Sequence, residues 1–493
     1  MNELAVAILL LGPFLGGLAV WRMAGRRAEI TAEISLGVTA AAAALGLASV
    51  ALAGGRVVAF ADLISIDALG AYILALTAIV ACLAMAASPR YVRHELAAGL
   101  LLPHVEGRFY ALFLWFVASL VAVPIVDNLG LMWVAIEATT VVSALLVGIT
   151  RRPEAIEAAW KYLILGTVGV GFALLGTLLA YASSVHVLGD SSDAMNWTRL
   201  MSIAPSLNPG LLRVSFVFAL AGYGTKIGLV PFHTWLPDAH SQAPSPVSAL
   251  LSGVSISTAL YALIRFHLVA AAGLGPGFSS TLLIAFGLLS LAVALPFLVR
   301  QEDVKRLLAY SSIEHMGLLT LGVGFGGPVA LLGVILHIGL HSVTKATLFL
   351  SAGELVQQYG SRRLSRIRGT LASAPVAGGA FGAGIVLLGG LPPSGIFATE
   401  FAIVVGGALS GYVVAAGVAA VLLALSFVAL AVHGSRLLWG RTAPGVSIAR
   451  VGRGTALRLG APLLAVAFLG LWTPGPLADA LNSIREVLTV HGG

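Results

Sequence analysis

Apolar stretches of roughly 18 or more residues recur along the whole chain. No other feature constrains the fold so tightly. A segment of that kind can cross a bilayer only if its backbone is satisfied internally, which for a single run means an α-helix. About 14 such spans are expected, starting near Leu4, Thr31, Ala68, Phe109, Leu129, Ala158, Leu211, Val247, Gly277, Lys305, Val329, Ala372, Gly411 and Leu457. The chain of 493 residues is 58% hydrophobic and only 10% charged, against roughly 25% charged in a soluble domain. The fold class is therefore an all-α polytopic membrane protein.

The net charge of +7 is explained by position. Connections after odd-numbered spans hold Arg26, Arg27, Arg151, Arg152, Arg362, Arg363, Arg436 and Arg450, with further arginines beside them. The even connections and the C-terminus hold Arg56, Arg199, Arg213 and Arg485, and the longest of them also holds Asp190 and Asp193. This is the positive-inside pattern, which puts both termini on the outer side and excludes nucleic acid as a partner. The first residues, Met-Asn-Glu, lack the positive start of a cleaved signal, so a retained first helix is expected. The single cysteine, Cys82, can form no intrachain disulfide and hold no iron–sulfur cluster, so this chain is not expected to carry electrons or a redox cofactor.

Two spans are interrupted. The seventh breaks at Gly228-Leu229-Val230-Pro231 and the twelfth at Gly389-Gly390-Leu391-Pro392-Pro393. They lie five spans apart, and an odd offset inverts one copy in the membrane. Paired broken helices in matching positions point to inverted repeats, although simple proline kinks are also tolerated in membrane helices. The expected division is residues 1–104 for helices 1–3, 105–272 for helices 4–8, 273–438 for helices 9–13, and 439–493 for a basic loop and helix 14.

A charge at the centre of a membrane helix costs about 2.5–3.5 kcal/mol even on the lenient insertion scale, so each one needs a partner, a wet cavity or a function. Glu137 lies inside span five and Lys226 at the break of span seven. Opposite charges would relieve each other, either as a static pair or as one that opens and closes. His337, His341 and Lys345 follow at i, i+4 and i+8. They drift only about 40° per step and share a helix face. Histidine titrates near neutrality and suits proton relay, and metal binding is not expected without a complementary ligand set. Glu314 and His315 stand on span ten, and Glu400 follows the second break. Ser257 and Tyr261 are expected to hold water between these groups. His233, Asp238 and His240 read either as the mouth of a pathway or as loop-stabilising hydrogen-bond partners. The run Gly322 to Gly327 matches a dinucleotide fingerprint in letters only, because it follows no strand.

The segments "KIGLVPFHTWLPDAHSQAPSPVSALLSG", "EDVKRLLAYSSIEHMG", "HSVTKATLFLSAGEL" and "GGLPPSGIFATEF" resemble the antiporter-like subunits of respiratory complex I, Mrp antiporters and membrane-bound hydrogenases. The resemblance covers roughly residues 105 to 435, and within it the chain is most similar to the F-type subunit of hydrogenase-4. It implies a proton-translocating subunit of an energy-converting membrane oxidoreductase complex in a bacterial or archaeal plasma membrane. Partners would be other membrane-arm subunits and a peripheral electron-transfer arm holding nickel–iron and iron–sulfur centres or quinone. Alternatives are a Na⁺/H⁺ antiporter module and the membrane subunit of an inorganic-carbon uptake complex. A structural anchor with static charges is a further one. The resemblance assigns Glu137, Lys226, Glu400, His315, His337 and His341 to the proton path. Many relatives carry a lysine in span eight. Ser257 stands in that region here, which leaves the middle carrier to His337, His341, Lys345 or water. The long lateral helix of the complex I distal subunit is not expected.

Overall fold

The computed structural model describes residues 3–489 apart from 53–54, 61, 190 and 443–451. Asp190 and Arg450 therefore lie outside the described residues. Helices α1 (Glu3–Val20), α2 (Arg26–Leu52), α3 (Ala68–Ala97), α4 (Glu106–Ala122), α5 (Leu129–Val147) and α6 (Pro153–Leu188) open the chain. The short α7 (Trp197–Ile203) precedes α8 (Pro209–Ile227), and the break after α8 leads to α9 (Trp235–Gln242). Next come α10 (Ser245–Leu250), a π-helical turn over Leu251–Ser255, α11 (Ile256–Leu274) and α12 (Pro276–Val299). The second part holds α13 (Val304–Phe325), α14 (Pro328–Tyr359), α15 (Thr370–Ser373), α16 (Pro375–Leu388), α17 (Gly395–Leu409) and α18 (Val413–Leu438). Last are α19 (Arg453–Leu471) and α20 (Gly475–Leu488).

Every expected span start falls in or beside one of these helices. Among the described residues, eleven helical stretches are long and apolar enough to cross a membrane, and α16 and α17 are shorter apolar helices. The protein is an all-α, multi-pass membrane protein with one small addition. An antiparallel hairpin of β1 (Arg56–Ala59) and β2 (Ile64–Asp67) precedes α3, in register Arg56 opposite Asp67. Periodicity could not reveal strands of four residues. Nor did it reveal α20, whose composition is too polar to read as a span.

Burial follows the membrane logic. Leu15, Val168, Val421 and Leu464 are exposed on the rim helices, as expected where lipid is the solvent. The polar side chains are instead gathered inside. Almost every residue of α11, α13 and the middle of α14 is buried. Small residues let the helices close on one another. An added Cβ at Gly222 on α8 would strike the backbone of Ala173 on α6, and one at Gly287 on α12 would meet the Gly317 carbonyl on α13 at 2.7 Å.

Both expected breaks are present. Helix α8 ends on Gly228 at φ +86°, whose N–H bonds the Gly224 and Thr225 carbonyls while Leu229 N–H reaches back to Gly224. This is a left-handed glycine stop of the Schellman kind. Helix α16 ends on Gly389 and Gly390, the latter at φ +69°, before α17 restarts under the Ser394 cap. Cis peptide bonds stand at Val230–Pro231 and Pro392–Pro393.

Candidate functional site

Lys226 occupies the last turn of α8, two residues before the break begins at Gly228, and is 1% exposed. Its Nζ donates to Thr140 Oγ1 on α5 at 2.9 Å and to Tyr162 OH on α6 at 2.7 Å. The Tyr162 hydroxyl also shares a 2.8 Å hydrogen bond with Ser143. The ammonium lies 5.0 Å from the centre of the Tyr162 ring. Hydrogen bonds to a charged group contribute about 1.5–3 kcal/mol each. Two of them match the cost of placing a lysine in the membrane, so Lys226 does not need a carboxylate in this arrangement.

Glu137 is accordingly elsewhere. It forms no ion pair with Lys226; its Oε1 accepts from Thr167 on α6 at 2.8 Å. Its Oε2 is buried without a hydrogen-bond partner among the described residues. The expected charge compensation is therefore absent from this state, although Glu137 remains within electrostatic reach of Lys226. The hydroxyls of Thr140, Tyr162 and Thr167 have taken over the solvation of both charges.

From Lys226 a packed aromatic step leads inward. Tyr162 stacks on Trp235 with ring centres 4.4 Å apart, and Trp235 lies 5.9 Å from the His240 ring. His240 is 0% exposed, and neither ring nitrogen has a hydrogen-bond partner among the described residues. It is within electrostatic reach of Lys226, Lys305 and Lys345. It is buried in the interior, so of the two readings the sequence left open for it neither a surface mouth nor a hydrogen-bonded loop contact describes its ring. Lys345 on α14 donates to the Leu308 carbonyl at 2.8 Å and to Ser311 Oγ at 2.5 Å, both on α13, and feels the charge of Glu314.

His337 and His341 share a face of α14 as their spacing predicts, and His315 meets them from α13. His315 Nδ1 and His337 Nε2 are 3.0 Å apart, and His337 Nδ1 is 2.8 Å from Thr399 Oγ1. The His341 ring centre lies 5.2 Å from His315 and 6.1 Å from His337. His315 Nδ1 is 3.9 Å from Glu400 Oε1. Gly390 makes room for that carboxylate, because a Cβ there would strike Glu400 Oε2. Among the described residues no group of three or more His, Cys, Asp or Glu is arranged to hold a metal ion.

Other expected residues stand apart from this line. Ser257 Oγ donates to Gly253 O of its own helix at 3.4 Å. Tyr261 donates to Pro124 O at 3.3 Å and accepts from Arg265 at 3.1 Å. Asp238 on α9 bridges Lys161 on α6 at 3.4 Å and Arg306 on α13 at 3.1 Å at a partly exposed surface. His233 is half-buried in the turn of the broken segment, and its carbonyl accepts from Leu236 N–H.

Tyr162, Thr140 and Thr399 escaped the sequence reading. Thr140 follows Glu137 at i+3 and so shares its face, a signal that was available. Lys305, at the expected start of a span, is 3% exposed and donates to the Ala243 carbonyl at 2.5 Å, where α9 ends. Arg265 escaped too, although any charge inside a span calls for a partner. Its partner is Asp67, held through Nη2 at 2.6 and 2.8 Å.

Fold and site together define a class: a multi-pass helical membrane protein with a file of ionisable side chains buried across its middle. More particularly, the chain belongs to the NADH:quinone oxidoreductase/Mrp antiporter transmembrane family, whose sequence profile matches residues 126–426. It is 41% identical over 314 residues to a hydrogenase-4 component F homolog of Methylacidiphilum infernorum, covering 64% of this chain and 66% of that protein. It is 34% identical over 313 residues to NADH-quinone oxidoreductase subunit N of Desulforudis audaxviator, covering 62% and 59%. The matches thus span about 60–66% of these relatives' own length. The chain of an archaeal membrane-bound sulfane sulfur reductase superposes with a TM-score of 0.87 at 20% identity, over 99% of this chain and 98% of that one.

Proposed function

We propose that this chain is a proton-translocating, antiporter-like subunit of an energy-converting membrane oxidoreductase complex. One observation carries the reading: the buried file that runs from Glu137 and Lys226, past His240, to Lys345, Glu314, His341, His315, His337 and Glu400. Each member can hold or pass a proton. Family membership and the likeness to a hydrogenase-4 component F homolog and an NADH-quinone oxidoreductase subunit support the same assignment.

In this reading protons enter from the cytoplasmic side near the first break, load the Glu137–Lys226 pair, and move laterally through His240, which takes the middle position that Ser257 does not fill. They leave on the outer side past the histidines and Glu400. Opening and closing of the Glu137–Lys226 pair drives the transfer, and the structure corresponds to the open arrangement. Helices 4–8 and 9–13, at residues 105–272 and 273–438, act as two inverted halves. The basic connections face the cytoplasm of a bacterial or archaeal cell and both termini face outward. Membrane-arm partners couple this chain to a peripheral arm, which holds the nickel–iron, iron–sulfur or quinone chemistry. Proton pumping by the assembled complex with Lys226→Ala tests the proposal. Loss of pumping is expected, and full pumping in an assembled variant would overturn it.

The Mrp antiporter part of the family description supports a second reading, exchange of Na⁺ for H⁺. The nitrogen-rich file suits protons better, since a hard cation such as Na⁺ prefers oxygen ligands. Transport that requires Na⁺ would favour the second reading.

A further inference from the structure

Away from the file, a buried arginine is unused. Arg265 on α11 is 0% exposed, and it gathers three separate connections of the chain. Asp67, at the junction of the β-hairpin and α3, takes Nη2 with both carboxylate oxygens. Trp197, at the start of α7, lies under the guanidinium at 3.9 Å, and the Tyr261 ring lies at 4.6 Å. Tyr261 in turn bonds the Pro124 carbonyl in the α4–α5 connection. Behind these, Asp127 accepts from Thr198 and lies 3.6 Å from Arg56. The hairpin, the α4–α5 loop and the α6–α8 connection are all even-numbered connections, on the outer side by the charge pattern. Arg265 thus stands where the first group of helices meets the outer connections.

The guanidinium is always charged. Asp67 engages only its Nη2, and Nε and Nη1 have no hydrogen-bond acceptor among the described residues. Asp67 balances the charge, while the N–H edge of Nε and Nη1 keeps no acceptor among the described residues and is held between two aromatic rings. A fixed guanidinium edge that only donates gives a hydrated proton no acceptor to pass through, and arginines exclude protons from pores by this means.

We propose that Arg265, clasped by Asp67, Trp197 and Tyr261, is an outer gate of the first helical half, barring protons loaded at Glu137 and Lys226 from leaking directly outward. The inference rests on the proton-pathway reading above. It adds why protons would travel sideways to the histidines before release.

The test uses membrane vesicles that hold the assembled complex, with an imposed pH gradient followed by a pH-sensitive dye. Arg265→Gln should collapse the gradient severalfold faster than the unaltered protein. Asp67→Asn keeps the cation and should be as proton-tight as the unaltered protein. A merely structural clamp would fail alike from either side, so equal leak in both variants, or tightness in both, overturns the gate. If Arg265→Gln does not assemble, the doubly neutral Asp67→Asn/Arg265→Gln variant takes its place: leak supports the gate and tightness overturns it. Pumping by Lys226→Ala is scored separately. A tight Arg265→Gln beside a pump-dead Lys226→Ala sinks the gate and leaves the pathway standing, whereas full pumping by Lys226→Ala sinks the pathway itself.

Discussion

His315 Nδ1 and His337 Nε2 stand 3.0 Å apart across the α13–α14 contact, and the direction of that hydrogen bond is set one residue further on. Thr399 donates its single hydroxyl proton to the Ile396 carbonyl at 2.8 Å, so it accepts from His337 Nδ1–H. A neutral imidazole has one donor and one acceptor nitrogen. His337 Nε2 is then the acceptor, and His315 Nδ1–H donates to it. Proton passage requires both rings to exchange tautomers. Thr399 holds the resting order.

Thr399→Val removes that hold while keeping shape. One neutral hydrogen bond is worth about 0.5–1.5 kcal/mol, so proton pumping should fall by up to about tenfold with assembly intact. Nitrogen NMR of labelled histidine should show His337 losing its single Nδ1–H tautomer. An unchanged His337 signal would contradict the assigned direction.

Tyr162→Phe keeps the stack on Trp235 and removes the nearest acceptor of Lys226. A hydrogen bond to a charged group is worth about 1.5–3 kcal/mol. Loss of it should draw Lys226 back toward Glu137, favouring the closed pair and slowing pumping by roughly 10-fold or more. Tyr162→Phe with full pumping, measured by dye quenching against electron-transfer turnover, would show that the hydroxyl does not set the open state.

Much of this arrangement was legible in the chain. Both breaks follow from glycine and proline, whose backbone chemistry is local. The shared face of His337, His341 and Lys345 follows from helix geometry alone. The swap of Glu137 for hydroxyls as the partner of Lys226 was not legible, because charge signs identify eligible partners but distances select among them. Tyr162 and Trp235 read as packing residues in apolar or amphipathic runs, and only tertiary contact turns them into a bridge between Lys226 and His240. The interior position of His240 was not among the readings open to the sequence, because the break that follows Lys226 folds α9 inward, with the His240 ring 6.0 Å from Phe349. Arg265 and Asp67 lie 198 residues apart, beyond any periodic signal.

Asp238 offers a contrast between polar residues that look alike in sequence. Its partners Lys161 and Arg306 have side chains 48% and 41% exposed, and surface ion pairs contribute only about 0–1 kcal/mol. Asp238→Ala should lower thermal stability by at most about 1 kcal/mol and leave pumping near the unaltered level. A collapse of pumping in a stable Asp238→Ala complex would move this residue into the pathway.

Gly390 ties backbone to site. It sits at φ +69°, and an added Cβ would strike the Glu400 carboxylate. Alanine there faces a left-handed penalty of roughly 1–2 kcal/mol and must displace Glu400 from His315. Gly417 on α18 is the matched control, with nothing within 4 Å of its would-be Cβ. Gly390→Ala should therefore lose most pumping and some thermal stability, while Gly417→Ala keeps both. If Gly390→Ala loses stability but its surviving assembled fraction pumps at the full rate per complex, the contact between the break and Glu400 is structural only, and the carboxylate's position is not what the second break serves.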